Sequence, residues 1–141
     1  MNNVMNAYKQ SNTAGAEEAS PHRLVEMLFD GAMERLSRAI GHCERGEVAA
    51  KGEAVGRAVL ILESLRSALD DTAGDGGVAR NLGDLYDYMV RRLTEANLHN
   101  DVAAMREVQE LLQPIAAAWK DIPAEHRGMP AAAAGGEREY A

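Results

Sequence analysis

The side chains that could carry out chemistry are few and scattered. The di-iron site of a helical bundle needs paired Glu-x-x-His motifs, yet alanine or proline stands three positions before each of the four histidines, His22, His42, His99 and His126. Cys43, the single cysteine, lies on an apolar stripe without an obvious basic partner, which favours a buried, inert thiol over a nucleophile. The histidines are expected at the surface or at its boundary.

An acidic loop resembles part of a calcium site. Asp71, Asp75 and Gly76 fall at the first, fifth and sixth positions of an EF-hand loop, but Ala73 and Leu82 occupy the third and twelfth, where oxygen ligands are required. The loop also lacks the lysine of a phosphate-binding P-loop. The sequence therefore predicts no metal site, no cofactor and no enzymatic activity.

The composition limits the kinds of partner that the protein can bind and the compartment in which it is expected. The formal charge of −7 disfavours nucleic-acid binding, which needs a basic face. The longest strongly apolar run, 58–62, is far short of the roughly 20 residues that span a bilayer. A single cysteine and a start without a basic and then apolar segment predict a cytoplasmic protein that does not insert into membranes.

The elements that would position these side chains are helices, because apolar residues recur every three or four positions in four stretches. Ser20 and Pro21 are typical of an N-cap and a first helical residue, and Gly46 of the position after a helix ends. The second helix is expected to begin between Glu47 and Glu53 and to run to Leu69.

The second half of the chain continues the pattern. Residues 70–77 are predicted as a loop, followed by a third helix with apolar positions from Leu82 to Ala96. Residues 97–100 are predicted as a turn, with Asn100 or Asp101 as the N-cap of a fourth helix reaching Trp119. Pro114 is expected to kink this helix or end its regular part.

Four helices with short connections fold most simply as an all-α, antiparallel up-down four-helix bundle. The predicted organisation is a flexible N-terminal arm (1–19), a bundle domain (20–120) and a disordered C-terminal tail (121–141).

Two blocks of sequence resemble the flagellin export chaperone (FliS) family. Residues 20–32, Ser-Pro-His-Arg-Leu-Val-Glu-Met-Leu-Phe-Asp-Gly-Ala, are similar to the start of that family's first helix, and residues 81–89, Asn-Leu-Gly-Asp-Leu-Tyr-Asp-Tyr-Met, to its third. Similar positions follow in the same order as far as Trp119. Phe29 stands where tyrosine is more usual, Gly52 and Gly56 loosen the second helix, and Pro114 interrupts the fourth.

The resemblance implies a cytoplasmic, non-enzymatic chaperone that binds the disordered C-terminal segment of flagellin, prevents premature filament polymerisation and assists delivery to the flagellar type III export machinery. Export-gate components and a second copy of the chain, as a homodimer, are further candidate partners. The alternative function is a helical adaptor or regulatory module for another secretion or signalling partner.

A bundle of this kind can leave grooves that accept a partner's amphipathic helices. The groove is expected to draw on helices two to four, although helical spacing alone does not separate its residues from the core. The candidate partner-binding residues are Leu62, Leu65, Leu69, Leu82, Leu85, Tyr86, Met89 and Leu111, together with Tyr8 in the arm.

Val4, Met5 and Tyr8 would share one face if the arm became helical. Two interpretations stay open. The three residues are a chance grouping in a disordered terminus, or they form a strap that covers the groove until flagellin arrives. Family members resemble this chain in carrying a tyrosine near the same place.

Overall fold

The computed structural model of the protein describes residues 20–69 and 76–122. These residues form four α-helices and no strand: α1 (Pro21–Glu44), α2 (Val48–Ser67), α3 (Gly76–His99) and α4 (Val102–Lys120). Helices α1 and α3 each pack against α2 and α4. The predicted all-α antiparallel bundle is confirmed. The arm 1–19, residues 70–75 of the predicted loop and residues 123–141 of the predicted tail lie outside the described residues.

Three helix boundaries follow the predicted local chemistry. The Ser20 hydroxyl accepts a hydrogen bond from the Arg23 backbone N–H at 3.1 Å, which caps α1. Gly46 follows α1 with φ of 73°, a left-handed conformation that glycine adopts without steric cost. The Asp101 carboxylate accepts from the Ala104 N–H at 3.1 Å and caps α4.

Four details of the prediction differ from the structure. Gly76 and Gly77 belong to α3 and not to the loop, since the first turn of α3 already packs Ala79 into the core. Helix α3 also runs through residues 97–99, because the chain reverses only at Asn100, where φ is 54°. Helix α2 ends at Ser67, two residues early. Helix α4 does not end at Pro114, one of the two outcomes expected there, but continues through it with the proline ring exposed to solvent; the kink stays a prediction.

The core runs the length of the bundle between the four helices. Its largest fully buried side chains include Tyr86, Phe29, Leu28, Leu36 and Leu62. Small residues alternate with them and let the helices approach closely. The alanines with no exposed surface are Ala32, Ala39, Ala58, Ala79, Ala96 and Ala104.

One end of the bundle is closed by an aromatic contact between α1 and α4. The rings of Trp119 and His22 are stacked with centroids 4.7 Å apart, and the indole N–H of Trp119 donates to the backbone oxygen of His22 at 2.9 Å. Phe29 lies 6.5 Å from the indole. His22 is therefore a buried residue and not the expected surface histidine. Ile122, assigned to the tail by sequence, is also buried.

The opposite end is held by a buried lysine. Lys51, in the second turn of α2, is 3% exposed, and its ammonium group donates to the backbone oxygen of Asn97 at 2.7 Å and to Oδ1 of Asn100. Both acceptors lie where α3 ends, and a cation is favourable at the negative end of a helix dipole. Lys51 thus fixes the start of α2 to the α3–α4 turn.

Replacing this lysine should measurably destabilise the fold. In Lys51→Met the aliphatic bulk is kept, but the Asn97 oxygen and Asn100 Oδ1 lose their donor, so the free energy of unfolding should fall by about 1–3 kcal/mol. Urea denaturation followed by far-UV circular dichroism measures this loss. Lys120→Met is the matched control, because Lys120 is exposed and its pair with Asp30 contributes about 1 kcal/mol or less. Equal midpoints for the two variants would contradict the assigned role of Lys51.

Candidate protein-binding surfaces

A polar cluster joins α3 to α4 on the side of the α3–α4 turn. Glu107, in α4, accepts a hydrogen bond from the Tyr88 hydroxyl at 2.6 Å and another from Nε of Arg92 at 2.8 Å. Arg91 lies 6.0 Å from the centre of the Tyr88 ring, within the range of a cation–π contact. We call Tyr88, Arg92 and Glu107 the Glu107 cluster.

The cluster shifts the titration of its members. The hydrogen bond from Tyr88, followed by that from Arg92, lowers the pKa of the Glu107 carboxyl below its ordinary value of 4.5. The hydrogen bond between Tyr88 and Glu107 raises the pKa of the Tyr88 phenol. The hydrogen bond between Arg92 and Glu107 likewise raises the pKa of the Arg92 guanidinium. Glu107 is therefore ionised in the folded state at neutral pH.

This lowered pKa predicts a pH-dependent contribution to stability. A carboxyl whose pKa is lower in the folded than in the unfolded state stabilises the fold above the unfolded pKa, and this stabilisation is lost as the pH falls through the folded pKa. Glu107→Gln should therefore be less stable than the wild type at pH 7, and the difference should shrink at acidic pH. Urea midpoints of both proteins at about pH 7 and about pH 3 measure it.

The measured quantity is the difference in stability between the wild type and Glu107→Gln at each pH. The other carboxyl groups titrate in both proteins, so their contributions largely cancel in this difference. Tyr88→Phe is the control, since it removes the largest cause of the shift and should move the acid transition of Glu107 back towards 4.5. A difference that stays constant from neutral to acidic pH would show that the cluster does not stabilise the charged carboxylate.

The other half of the α3–α4 seam is apolar and only partly covered. Leu85 lies three residues before Tyr88, and Leu111 and Ile115 lie four and eight after Glu107, so these side chains share the facing flanks of the two helices. All three are half-buried. The backbones of α3 and α4 also approach each other at fewer positions than those of the other three neighbouring pairs. We call Leu85, Leu111 and Ile115 the α3–α4 groove.

The residues predicted to bind a partner divide into three groups. Leu62, Leu65, Tyr86 and Met89 are buried in the core, and burial raises the pKa of the Tyr86 phenol. The half-buried members are Leu69, Leu82, Leu85 and Leu111. Tyr8 lies outside the described residues. The partner-binding role of all nine stays a prediction. The antiparallel register set by the hydrogen bond of Tyr88 to Glu107 places Leu85 and Leu111 at the same level of α3 and α4.

Sequence reasoning missed three exposed apolar side chains. Among the described residues the large hydrophobic side chains with high exposure are Val48 (64%), Leu60 (47%) and Leu98 (74%). Val48 and Leu60 are on α2, whose apolar residues are spread around most of its circumference, so periodicity did not mark them. Leu98 was assigned to a turn, where an apolar side chain carries no signal of a surface.

The described residues contain no group of three or more histidine, cysteine, aspartate or glutamate side chains positioned to hold a metal ion. Cys43 was expected to be buried, but the structure shows it only half-buried. Within the same ranges, no helix is long and apolar enough to cross a membrane.

The family model of the flagellar protein FliS matches residues 4–126. The chain belongs to the FliS family. The flagellar secretion chaperone FliS of Salmonella typhimurium is 52% identical over 118 residues, which are 82% of this chain and 87% of that protein. That of Vibrio cholerae is 40% identical over 136 residues, 96% of this chain and 99% of the relative. FliSB of Pseudomonas aeruginosa, also a flagellar secretion chaperone, is 43% identical over 120 residues, 84% and 94% of the two chains.

This membership confirms the resemblance drawn from residues 20–32 and 81–89. Both FliS-like blocks lie within the matched range, and both lie on helices of the bundle: the first forms the start of α1 and the second the middle of α3. The Tyr88 of the Glu107 cluster and the Leu85 of the α3–α4 groove come from the second block. The chain is therefore a member of a family of flagellar secretion chaperones.

Proposed function

We propose that this protein is a cytoplasmic, non-enzymatic chaperone that binds the disordered C-terminal segment of flagellin, prevents premature filament polymerisation and assists delivery to the flagellar export machinery. The observation that carries the proposal is the FliS family match over residues 4–126, together with relatives of at least 40% identity named flagellar secretion chaperones. Flagellin is the client that the family resemblance implies.

The α3–α4 groove supports the proposal physically. Amphipathic helices bind where a groove offers apolar side chains at helical spacing, and Leu85, Leu111 and Ile115 are half-buried on facing flanks. Because these side chains are only partly covered, a client can bury them further without displacing the fully buried core residues beneath them. The Glu107 cluster holds the other half of the seam together.

A titration tests the proposal directly. Calorimetry with a C-terminal fragment of flagellin should give a one-to-one complex, while a central fragment of equal length should give no heat. Since a disordered client gains helix on binding, the far-UV ellipticity of the mixture should exceed the sum of its parts. No heat with the C-terminal fragment and no complex on gel filtration would overturn the proposed function.

We also propose that the N-terminal arm covers this groove in the free protein. The arm joins the bundle at Ser20, beside the contact of Trp119 with His22. The antiparallel order puts the start of α3 and the end of α4 at this end too, so the α3–α4 groove lies on the half of the seam nearer the arm.

Deleting residues 1–12 should therefore raise the affinity for the C-terminal flagellin fragment and expose a dye-binding apolar surface. If covering the groove with the arm is favourable by about 1.4 kcal/mol, deleting the arm should lower the Kd for the flagellin fragment about tenfold. Helical content by circular dichroism should stay that of the bundle. Unchanged affinity together with unchanged dye fluorescence would show that Tyr8 is only a tail residue.

A further inference from the structure

Helix α4 contains a proline in its interior, on the side that forms the α3–α4 groove. Pro114 lies seven residues after Glu107 and three after Leu111, so these side chains share the flank of α4 that faces α3. The proline ring is exposed, whereas Leu111 and Ile115 beside it are half-buried. Pro114 therefore lies at the outer edge of the groove, within reach of a bound client.

This proline leaves one backbone acceptor of α4 without its usual donor. In an α-helix the N–H of residue 114 would donate to the backbone oxygen of Glu110, but proline has no N–H. Glu110 and Pro114 are both exposed, so a donor from outside the chain can approach this oxygen. The acceptor lies along the same edge of the groove as the proline ring.

The fold of the bundle does not account for a proline at this position. Helix α4 extends from Val102 to Lys120 and neither begins nor ends near Pro114. Proline is also the least favourable residue in a helix interior. An alanine here would complete the hydrogen bond to Glu110 and stabilise the helix. What the proline provides instead is an acceptor that the helix does not use itself.

A second polar group lies across the groove at the same level. Asn81 precedes Tyr88 by seven residues in α3, and Pro114 follows Glu107 by seven in α4, about two helical turns in each case. The hydrogen bond of Tyr88 to Glu107 sets the register of these antiparallel helices, so Asn81 and Pro114 lie at one level. Asn81 is exposed too. The apolar groove is thus bordered by an amide on α3 and a backbone acceptor on α4.

We propose that the backbone oxygen of Glu110, made available by Pro114, is a specificity-determining acceptor that binds a side-chain donor of the client helix. The inference rests on the proposed function, because the client is the C-terminal segment of flagellin. The apolar side chains of the groove bind the apolar stripe of that helix, and the Glu110 oxygen reads the residue beside the stripe.

The chemistry of the acceptor defines the client residue that fits it. A carbonyl oxygen accepts and does not donate, so the matching side chain carries an N–H or O–H: serine, threonine, asparagine, glutamine, lysine or arginine. The amide of Asn81 offers a further acceptor and donor at the same level. A helix with only apolar or acidic residues beside its stripe would cover the Glu110 oxygen without pairing it, and should bind less tightly.

Two substitutions restore the missing N–H and so test the proposal. In Pro114→Ala and Pro114→Leu residue 114 donates to the Glu110 oxygen, so the urea midpoint of each variant should rise above that of the wild type. Calorimetry should show the Kd for the C-terminal flagellin fragment rising about threefold to tenfold, the effect of one lost hydrogen bond. Leucine keeps a large apolar side chain at this edge, so a role of the ring as apolar surface predicts undiminished binding by Pro114→Leu.

The control lies on the opposite flank of the same helix. Gln113 is exposed and follows Gln109 by four residues, and the Gln109 amide donates to the Ser37 hydroxyl of α1. Gln113→Ala should therefore bind the fragment as the wild type does.

A double-mutant cycle with the client identifies the hydrogen bond itself. Each donor-bearing residue of the flagellin fragment is replaced by alanine in turn. One of these changes should weaken binding to the wild type by about threefold to tenfold and leave binding to Pro114→Ala unchanged, because the acceptor is already occupied there.

The outcomes separate this inference from the proposed function. Binding that Leu111→Ala weakens and both Pro114 variants leave unchanged would overturn the acceptor role but keep the client in the groove. Weaker binding by the Pro114 variants without coupling to any client donor would assign the effect to helix shape, and the acceptor role would again be wrong. A wild type that gives no heat with the C-terminal fragment would overturn the proposed function, and this inference with it.

Discussion

Leu62→Ala should lower the free energy of unfolding by about 2–5 kcal/mol, because its side chain has no exposed surface and truncation leaves a cavity in the core. Leu111→Ala should lower it by about 1 kcal/mol or less, because this leucine is half-buried at the α3–α4 groove and water can fill the space. The same Leu111→Ala change should weaken binding of the C-terminal flagellin fragment, since it removes part of the groove wall.

The measurements are urea denaturation for stability and calorimetric titration for binding, carried out on both variants. Leu85→Ala is the second groove variant and should behave like Leu111→Ala. The client site must lie elsewhere if Leu111→Ala and Leu85→Ala bind flagellin as the wild type does. If both lose as much stability as Leu62→Ala, the half-buried leucines act as core residues.

The helices themselves could be predicted from sequence because their ends depend on local chemistry. Ser20, Gly46 and Asp101 each act through atoms no more than five residues away, so a short segment contains the whole cause. The end of α3 could not be placed in the same way. It depends on Lys51, which is 46 residues from Asn97, and on the left-handed Asn100.

The candidate site was harder to predict. An apolar stripe shows which side of a helix faces the bundle, but it does not show how deeply each residue on that side is buried. Leu62 and Leu69 are both apolar positions of the second predicted helix, yet Leu62 is fully buried in the core and Leu69 is half-buried just beyond the end of α2. How deeply a residue is buried depends on which neighbouring helix covers it. For Leu85 and Leu111 the neighbouring helix covers only part of the side chain, and no single-helix pattern carries this information.

Charged and polar residues show the same limit. Lys51 is a charged residue in a helix and is expected at the surface, but the end of α3 gives its ammonium group acceptors inside the bundle. His22 and Glu107 likewise have partners that lie in another helix. Sequence spacing predicts interactions within a turn, whereas these interactions follow from how whole helices pack.

Trp119→Ala should lower the free energy of unfolding by about 3–5 kcal/mol, the typical cost of removing a buried aromatic side chain. Three contacts are lost together: the stack on His22 at 4.7 Å, the packing near Phe29 and the hydrogen bond to the His22 oxygen at 2.9 Å. Trp119 lies one residue from the end of α4 and His22 one residue from the start of α1, so this contact joins the two helix ends.

Trp119→Phe separates the hydrogen bond from the packing. Phenylalanine keeps an aromatic ring but has no N–H, so the variant should lose about 1–3 kcal/mol, less than Trp119→Ala. Because Trp119 is the only tryptophan, far-UV circular dichroism in urea must replace fluorescence as the readout for both variants. If Trp119→Ala costs under about 1 kcal/mol, the α1–α4 end is open in solution. The arm, which joins α1 at Ser20, would then start from a mobile end, and a strap anchored there could not hold its place over the α3–α4 groove.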